Sequence, residues 1–340
     1  MTDLRLNYIG SKRTLLTAYA PIFEQYLSTA STFADLFCGT GVVSEYVQHH
    51  YPNVATIYAN DLQRYASVLT EARLLSFTSD EITEIQEHYT LLNQCQTPGF
   101  FAEHYAGKYF SPENCERLDG MRQYIETSTT LSTKVRTFLL ASLLSASDAV
   151  ANTASVYGAY LKKLKDRALQ PLKLTALPTS GKPVTTIKVS CDDIESLSID
   201  EPLDVLYLDP PYNARQYGSN YHVLETIVRY DAPVLKGVTL LPPYPKSTFC
   251  SKAGGKALTS LSNVVNRFNW KVLMMSYSSD GIIPIDKLLQ LLQSKGKVIA
   301  YQMNYKKFQS QVLTGVKAVT EYLLVCEAGG SGEVEYREVE

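Results

Sequence analysis

The residues best suited to chemistry stand directly behind the apolar run LDVLYL (203–208): Asp209, Pro210, Pro211 and Tyr212 in succession. At average residue usage this tetrapeptide arises by chance in about one chain in a thousand of this length. An aromatic amino group is a poor nucleophile because its lone pair is conjugated with the ring. A carboxylate and a rigidly held backbone carbonyl can accept its two hydrogens and localise that pair. Two prolines stiffen the backbone, and Tyr212 offers a stacking face for a base taken out of a duplex. A proline-rich turn at a strand end is the bland alternative, and the motifs around it weigh against that reading.

A second cluster is Asp35-Leu-Phe-Cys-Gly39-Thr-Gly41, a strand running into a glycine turn. Such a turn lets backbone approach a ligand closely, and the helix start behind it favours polar or negative groups. Ser44 stands where a dinucleotide site wants its third glycine, so the turn suits the amino-acid end of S-adenosylmethionine better than a pyrophosphate. Twenty residues beyond Gly41, Asn60-Asp61 closes the next strand-like run, the place where an acid bonds ribose hydroxyls in doubly wound sheets. A tight β–α turn and a solvated strand-end acid are the structural alternatives to these two readings.

These motifs need strands to end on and helices to follow them. Apolar spacing predicts a helix in SKRTLLTAYAPIFEQYLS, a strand in TFADLF, a helix in VVSEYVQHH, a strand in ATIYAND and a helix after it. Strand, glycine turn, helix, strand and helix open a parallel α/β sheet. From 79 to 150 the pattern is helical throughout, and 151–190 is basic and breaks the alternation, as an insertion would. LDVLYL, KVLMMSY, KVIAYQM and VTEYLLVCE resume the strands, the last two expected to form a hairpin. The expected fold class is α/β, with a mainly parallel seven-stranded sheet.

Composition narrows the function classes. Of 340 residues, 45% are hydrophobic and 19% charged, which rules out disorder as the main state. No apolar run approaches the ~20 residues of a membrane span, and the start MTDLRLNYIGSKR lacks a signal-peptide core. Cys38, Cys95, Cys115, Cys191, Cys250 and Cys326 form no CxxC pair, which argues against a zinc site or a disulfide scaffold. The expectation is a soluble, cytoplasmic protein needing no metal. The net charge is −2, yet Lys162, Lys163, Lys165, Arg167, Lys173, Lys182 and Lys188 fall in 151–190 against Asp166 alone. A further stretch, 232–279, carries Lys236, Lys246, Lys252, Lys256, Arg267 and Lys271 and no acid. Either stretch is able to track phosphates or simply to form a solvated face.

Leu6-Asn-Tyr-Ile-Gly-Ser-Lys12, DLFCGTG, the strand-end AND and DPPY together resemble the Dam-type (alpha-class) DNA adenine methyltransferases, in content and in order, over about 1–77 and 186–326. The stretch DPPYNARQYGSNYHVLE is similar to a subgroup typical of restriction–modification systems. The resemblance implies an S-adenosylmethionine-dependent methyltransferase sheet, with a catalytic domain at 1–78 and 186–328. It also implies a helical and basic target-recognition insertion at 79–185; the acidic tail 329–340 is expected to be flexible. Tyr8 and Lys12 would contact the cofactor, Lys12 through its carboxylate. Asp35, Phe37, Gly39, Thr40 and Gly41 would line its amino-acid end, Asp61 its ribose, and Asp192 its adenine amino group. Asp209, Pro210, Pro211 and Tyr212 would act on the target base, with Asp209 also bordering the cofactor. The implied activity is methylation of the N6 amino group of adenine in double-stranded DNA, with a cognate restriction endonuclease as a possible partner. Two alternatives stand beside it: another amino-group methyltransferase (cytosine N4, RNA or protein glutamine), and a DNA-binding relative without catalysis. The intact Asp209 start of the tetrapeptide speaks against both.

Overall fold

A computed structural model describes residues 3–183, 185–305, 319–330 and 332–339. The chain divides into two compact units. The first comprises Met1–Gly10, Gln63–Pro183 and Tyr217–Pro245; the second comprises Ser11–Leu62, Val184–Gln216 and Lys246–Glu340.

The second unit holds the sheet. Its strands are β1 (Thr32–Asp35), β2 (Thr56–Asn60), β3 (Thr186–Ser190), β4 (Leu203–Leu208), β5 (Trp270–Ser278), β6 (Gly296–Tyr305), β7 (Val319–Ala328) and β8 (Val334–Glu338). They lie in the order β3-β2-β1-β4-β5-β7-β6-β8. β7 runs antiparallel to both β5 and β6, and the remaining neighbours are parallel. Among the described residues the sheet therefore has eight strands where seven were expected. The addition is β8, inside the acidic tail expected to be flexible, which pairs in parallel along β6. Its alternation, Val334 and Tyr336 between charged residues, is an edge-strand pattern that the acid content masks. Residues 331 and 340 of that tail, and 306–318 of the expected catalytic span, lie outside the described residues.

Period-2 alternation gives the sheet two apolar faces, as a mainly parallel sheet requires. Ala34 on β1, Leu36 just after it, Leu206 and Leu208 on β4, and Leu273 and Met275 on β5 share a core with helices Lys256–Arg267 and Ile285–Gln293. The opposite residues, Phe33 and Tyr207, stack with ring centroids 6.4 Å apart. Phe23, from helix Leu16–Leu27, meets Tyr207 edge-on. The first unit is helical, with a core of its own built from Arg64–Leu74, Ser79–Leu92, Pro112–Thr127, Thr133–Ala149 and His222–Arg229. Ser and Thr caps at Thr78, Ser111 and Ser132 start three of these helices. Among the described residues no helix is long and apolar enough to cross a membrane.

Candidate active site

β1 and β4 are parallel neighbours from which the sheet extends in opposite directions, through β2 on one side and β5 on the other. Crevices at such a switch point, beyond the carboxyl ends of the strands, are where open α/β sheets bind ligands. The loops leaving β1 and β4 carry the glycine turn and the tetrapeptide, so the topology brings the two motifs to one place.

Behind β1 the chain turns on Gly39 (φ 52°) and Gly41 (φ 74°), a left-handed conformation that side chains resist. Gly41 also caps helix Val42–His50. Two bonds tie this turn to the end of β2: the Cys38 amide donates to the Asn60 carbonyl at 3.0 Å, and the Gly39 amide to Asp61 Oδ2 at 3.0 Å. Asp35 is buried beneath the turn. Ser44 Oγ donates to its Oδ2 at 2.7 Å, whereas its Oδ1 has no hydrogen-bond partner among the described residues. Burial pushes the Asp35 carboxyl up to about 7. A positive-φ glycine turn above a half-satisfied buried acid fits the charged amino-acid end of S-adenosylmethionine. Thr40 is buried in the turn, and Phe37 rests edge-on against Phe249 with centroids 4.9 Å apart. Asp192 is exposed at the end of β3; its amide donates to Asn60 Oδ1 at 3.0 Å, which fixes it beside Asp61.

At the end of β4, Lys12 Nζ donates to both carboxylate oxygens of Asp209 at 2.7 Å each. The Lys12 side chain is 5% exposed and that of Asp209 17%. Lys12, expected at a cofactor carboxylate, meets the first residue of the tetrapeptide in this structure. Burial raises the Asp209 pKa, and Lys12 opposes that rise. Tyr212 is half-buried, 6.0 Å from the Tyr277 ring and 5.8 Å from Lys12 Nζ. Its carbonyl accepts from the Ile282 amide at 2.8 Å, and the Ile283 amide donates to the Tyr277 hydroxyl at 3.0 Å. The loop after β5 therefore clamps the tetrapeptide, a contribution that sequence reading missed because nothing in SYSSDGII marks it.

Tyr8 belongs to the first unit. There it stacks on Tyr221 (centroids 5.2 Å, 28°) and meets Tyr217 at 5.5 Å. The neighbouring backbone is held by the Tyr221 hydroxyl, which accepts from the Ile9 amide, and by Asp148, which accepts from the Asn7 amide. The basic stretch 151–190 is less open than its composition suggests. Lys165 and Lys182 donate to backbone carbonyls, Arg167 bonds the Ala151 carbonyl, and Lys188 bonds Tyr58 and Glu201. Lys162, Lys163 and Lys173 are exposed.

The chain is similar to known proteins over most of its length. The chain is 35% identical over 328 residues to the type II methyltransferase M.CviAII of Paramecium bursaria Chlorella virus 1, covering 94% of this chain and 97% of that one. It is 35% identical over 320 residues to the type II methyltransferase M.NlaIII of Neisseria lactamica, covering 90% and 93%. A solved putative class I S-adenosylmethionine-dependent methyltransferase from Listeria monocytogenes aligns with a TM-score of 0.42 at 10% identity, covering 98% of this chain and 67% of that one. Residues 8–291 match the model of the D12 class N6 adenine-specific DNA methyltransferases, and the chain belongs to that family.

Proposed function

We propose that the crevice at the ends of β1 and β4 methylates the N6 amino group of adenine in double-stranded DNA, with Asp209 as the group that receives the amino hydrogens. S-adenosylmethionine is the methyl donor of this methyltransferase class, and when bound it supplies an electrophilic methyl carbon. The glycine turn (Gly39, Thr40, Gly41), Asp35 and Phe37 hold its amino-acid end. Asp61 and Asp192 hold the nucleoside end. Asp209 and the Pro210 carbonyl accept the amino hydrogens, Pro211 stiffens the turn, and Tyr212 stacks on the extruded base. Lys12 favours the ionised form of Asp209 against the burial that opposes it.

One observation carries this reading: a buried Lys12–Asp209 pair, at the switch point of the sheet, at the head of a clamped Asp-Pro-Pro-Tyr turn. A solvated strand-end acid would have neither the burial nor the counter-ion. The similarity to type II enzymes supports a place in a restriction–modification system with a cognate endonuclease, and hence in the cytoplasm where cellular DNA is exposed. Exposed Lys162, Lys163 and Lys173 are assigned to phosphate contacts. The test is methyl transfer from labelled donor to duplex DNA: Asp209→Ala should abolish it while cofactor binding persists. Turnover within tenfold of wild type would refute the assignment.

A further inference from the structure

β7 carries an acid that the mechanism above does not use. Glu321 is 6% exposed, stands in register with Ser278 on β5 and Met303 on β6, and its Oε2 has no hydrogen-bond partner among the described residues. Sheet residues so deeply buried are rarely carboxylates unless something compensates the charge. Strand β5 sets it near the catalytic pair: Leu208, next to Asp209, is in register with Met275, and Glu321 with Ser278 three residues further on, while Lys12 and the Ser278 hydroxyl favour its charge. Glu321 is attracted by Lys12 and repelled by Asp209; Asp280 also acts on it from the β5 side, and Tyr19 senses it from helix Leu16–Leu27. Asp280 itself accepts from Ser278 Oγ at 2.8 Å, and the Tyr19 hydroxyl pairs with Ser276 Oγ at 3.1 Å.

One ammonium therefore serves two buried carboxylates. Lys12 and Asp209 cancel, and the state of Glu321 decides whether the group is neutral or carries one negative charge. During methyl transfer the adenine nitrogen bonds to the methyl carbon. The sulfur–carbon bond breaks with its electron pair going to sulfur, and positive charge moves from sulfur to nitrogen. The nitrogen then sheds a proton, for which Asp209 is the acceptor. We propose that Glu321 is a positioning residue for this step: ionised, it gives the Lys12–Asp209–Glu321 group one net negative charge beside the nitrogen as that nitrogen becomes cationic. This inference rests on Asp209 receiving the amino group.

Burial and the neighbouring Asp209 push the Glu321 carboxyl up to about 7, against the pull of Lys12. The wild-type single-turnover rate should accordingly climb as pH rises through about 7. Glu321→Gln keeps the shape and removes the charge. It should flatten that climb and lower the rate above pH ~8 by roughly tenfold, less than the ~100–1,000-fold of a donor in direct contact. Glu321→Asp should retain a climb. Asp35 lies in the same range and is the rival source. A climb that survives Glu321→Gln and vanishes in Asp35→Asn overturns the proposal, as does a flat profile in folded Glu321→Asp. Should Glu321→Gln fail to fold, the Asp variant and the Asp35 variant decide between the two acids. The reading of Asp209 fails separately, through an active Asp209→Ala.

Discussion

Removing the ammonium of Lys12 while keeping most of its stem, as Lys12→Met does, separates two roles for that residue. The pair it breaks is largely shielded from water, with both Asp209 oxygens 2.7 Å from Nζ. Removing one partner of a buried ion pair costs about 3–5 kcal/mol if the other stays charged. Asp209 has a cheaper course, since burial already raises its pKa and Lys12 is the group opposing that rise. It takes up a proton instead. At about 1.4 kcal/mol per factor of ten, a loss of ~3 kcal/mol corresponds to about a hundredfold. Single-turnover methylation by the variant should therefore fall roughly ten- to a hundredfold near neutrality and recover as pH is raised. Calorimetry should find cofactor affinity little changed. If Lys12 serves the cofactor carboxylate, the pattern reverses: affinity falls and the pH profile keeps its wild-type position. Wild-type rates at every pH would refute the electrostatic role altogether.

Other consequences follow from particular bonds. Asp61→Ala removes a charge-assisted bond to the Gly39 amide as well as the proposed ribose contact; at ~1.5–3 kcal/mol it should weaken cofactor binding about ten- to a hundredfold by calorimetry. Gly281→Ala would drive its new methyl into the Tyr277 ring that flanks Tyr212, so turnover should drop while cofactor affinity holds. Neutralising exposed Lys162 and Lys163 should reduce the slope of log affinity against log salt by about two, equally for all DNA sequences; an unchanged slope would leave them as a solvated face. Asp35 bears on stability. Its folded pKa of about 7 exceeds the ordinary 3.8, so its contribution is full below about pH 4 and is lost as pH rises through about 7. Melting temperature should fall over that window, and Asp35→Asn should lessen the fall; an identical decline in both proteins would contradict the burial of that charge.

Much of this was legible in the residues because the determinants are local. The strands TFAD, TIYAN and LDVLYL announce themselves by apolar content, and the glycines of CGTG and the prolines of DPPY by the backbone they demand. The antiparallel β6–β7 hairpin followed from two apolar runs close in sequence. What escaped depends on partners far along the chain. β3, TIKVS, is an edge strand only partly covered, so its polar residues hid it. Glu321 shares the period-2 face of Val319, Leu323 and Val325, and only its acidic side chain hid that it is buried there. Lys12 and Asp209 are 197 residues apart, and nothing in either motif announces that they pair. The basic stretch 151–190 misled in the opposite sense, because carbonyls from the same unit take up Lys165, Arg167 and Lys182.

The most direct test of the central claim is mass spectrometry of nucleosides from duplex DNA treated with the wild-type protein and with Asp209→Ala, each saturated with S-adenosylmethionine. N6-methyladenine should accumulate with the wild type and be absent with a folded, cofactor-binding variant. N4-methylcytosine in place of N6-methyladenine, or N6-methyladenine from the variant at a rate within tenfold of wild type, would contradict the role given to the Lys12–Asp209 pair.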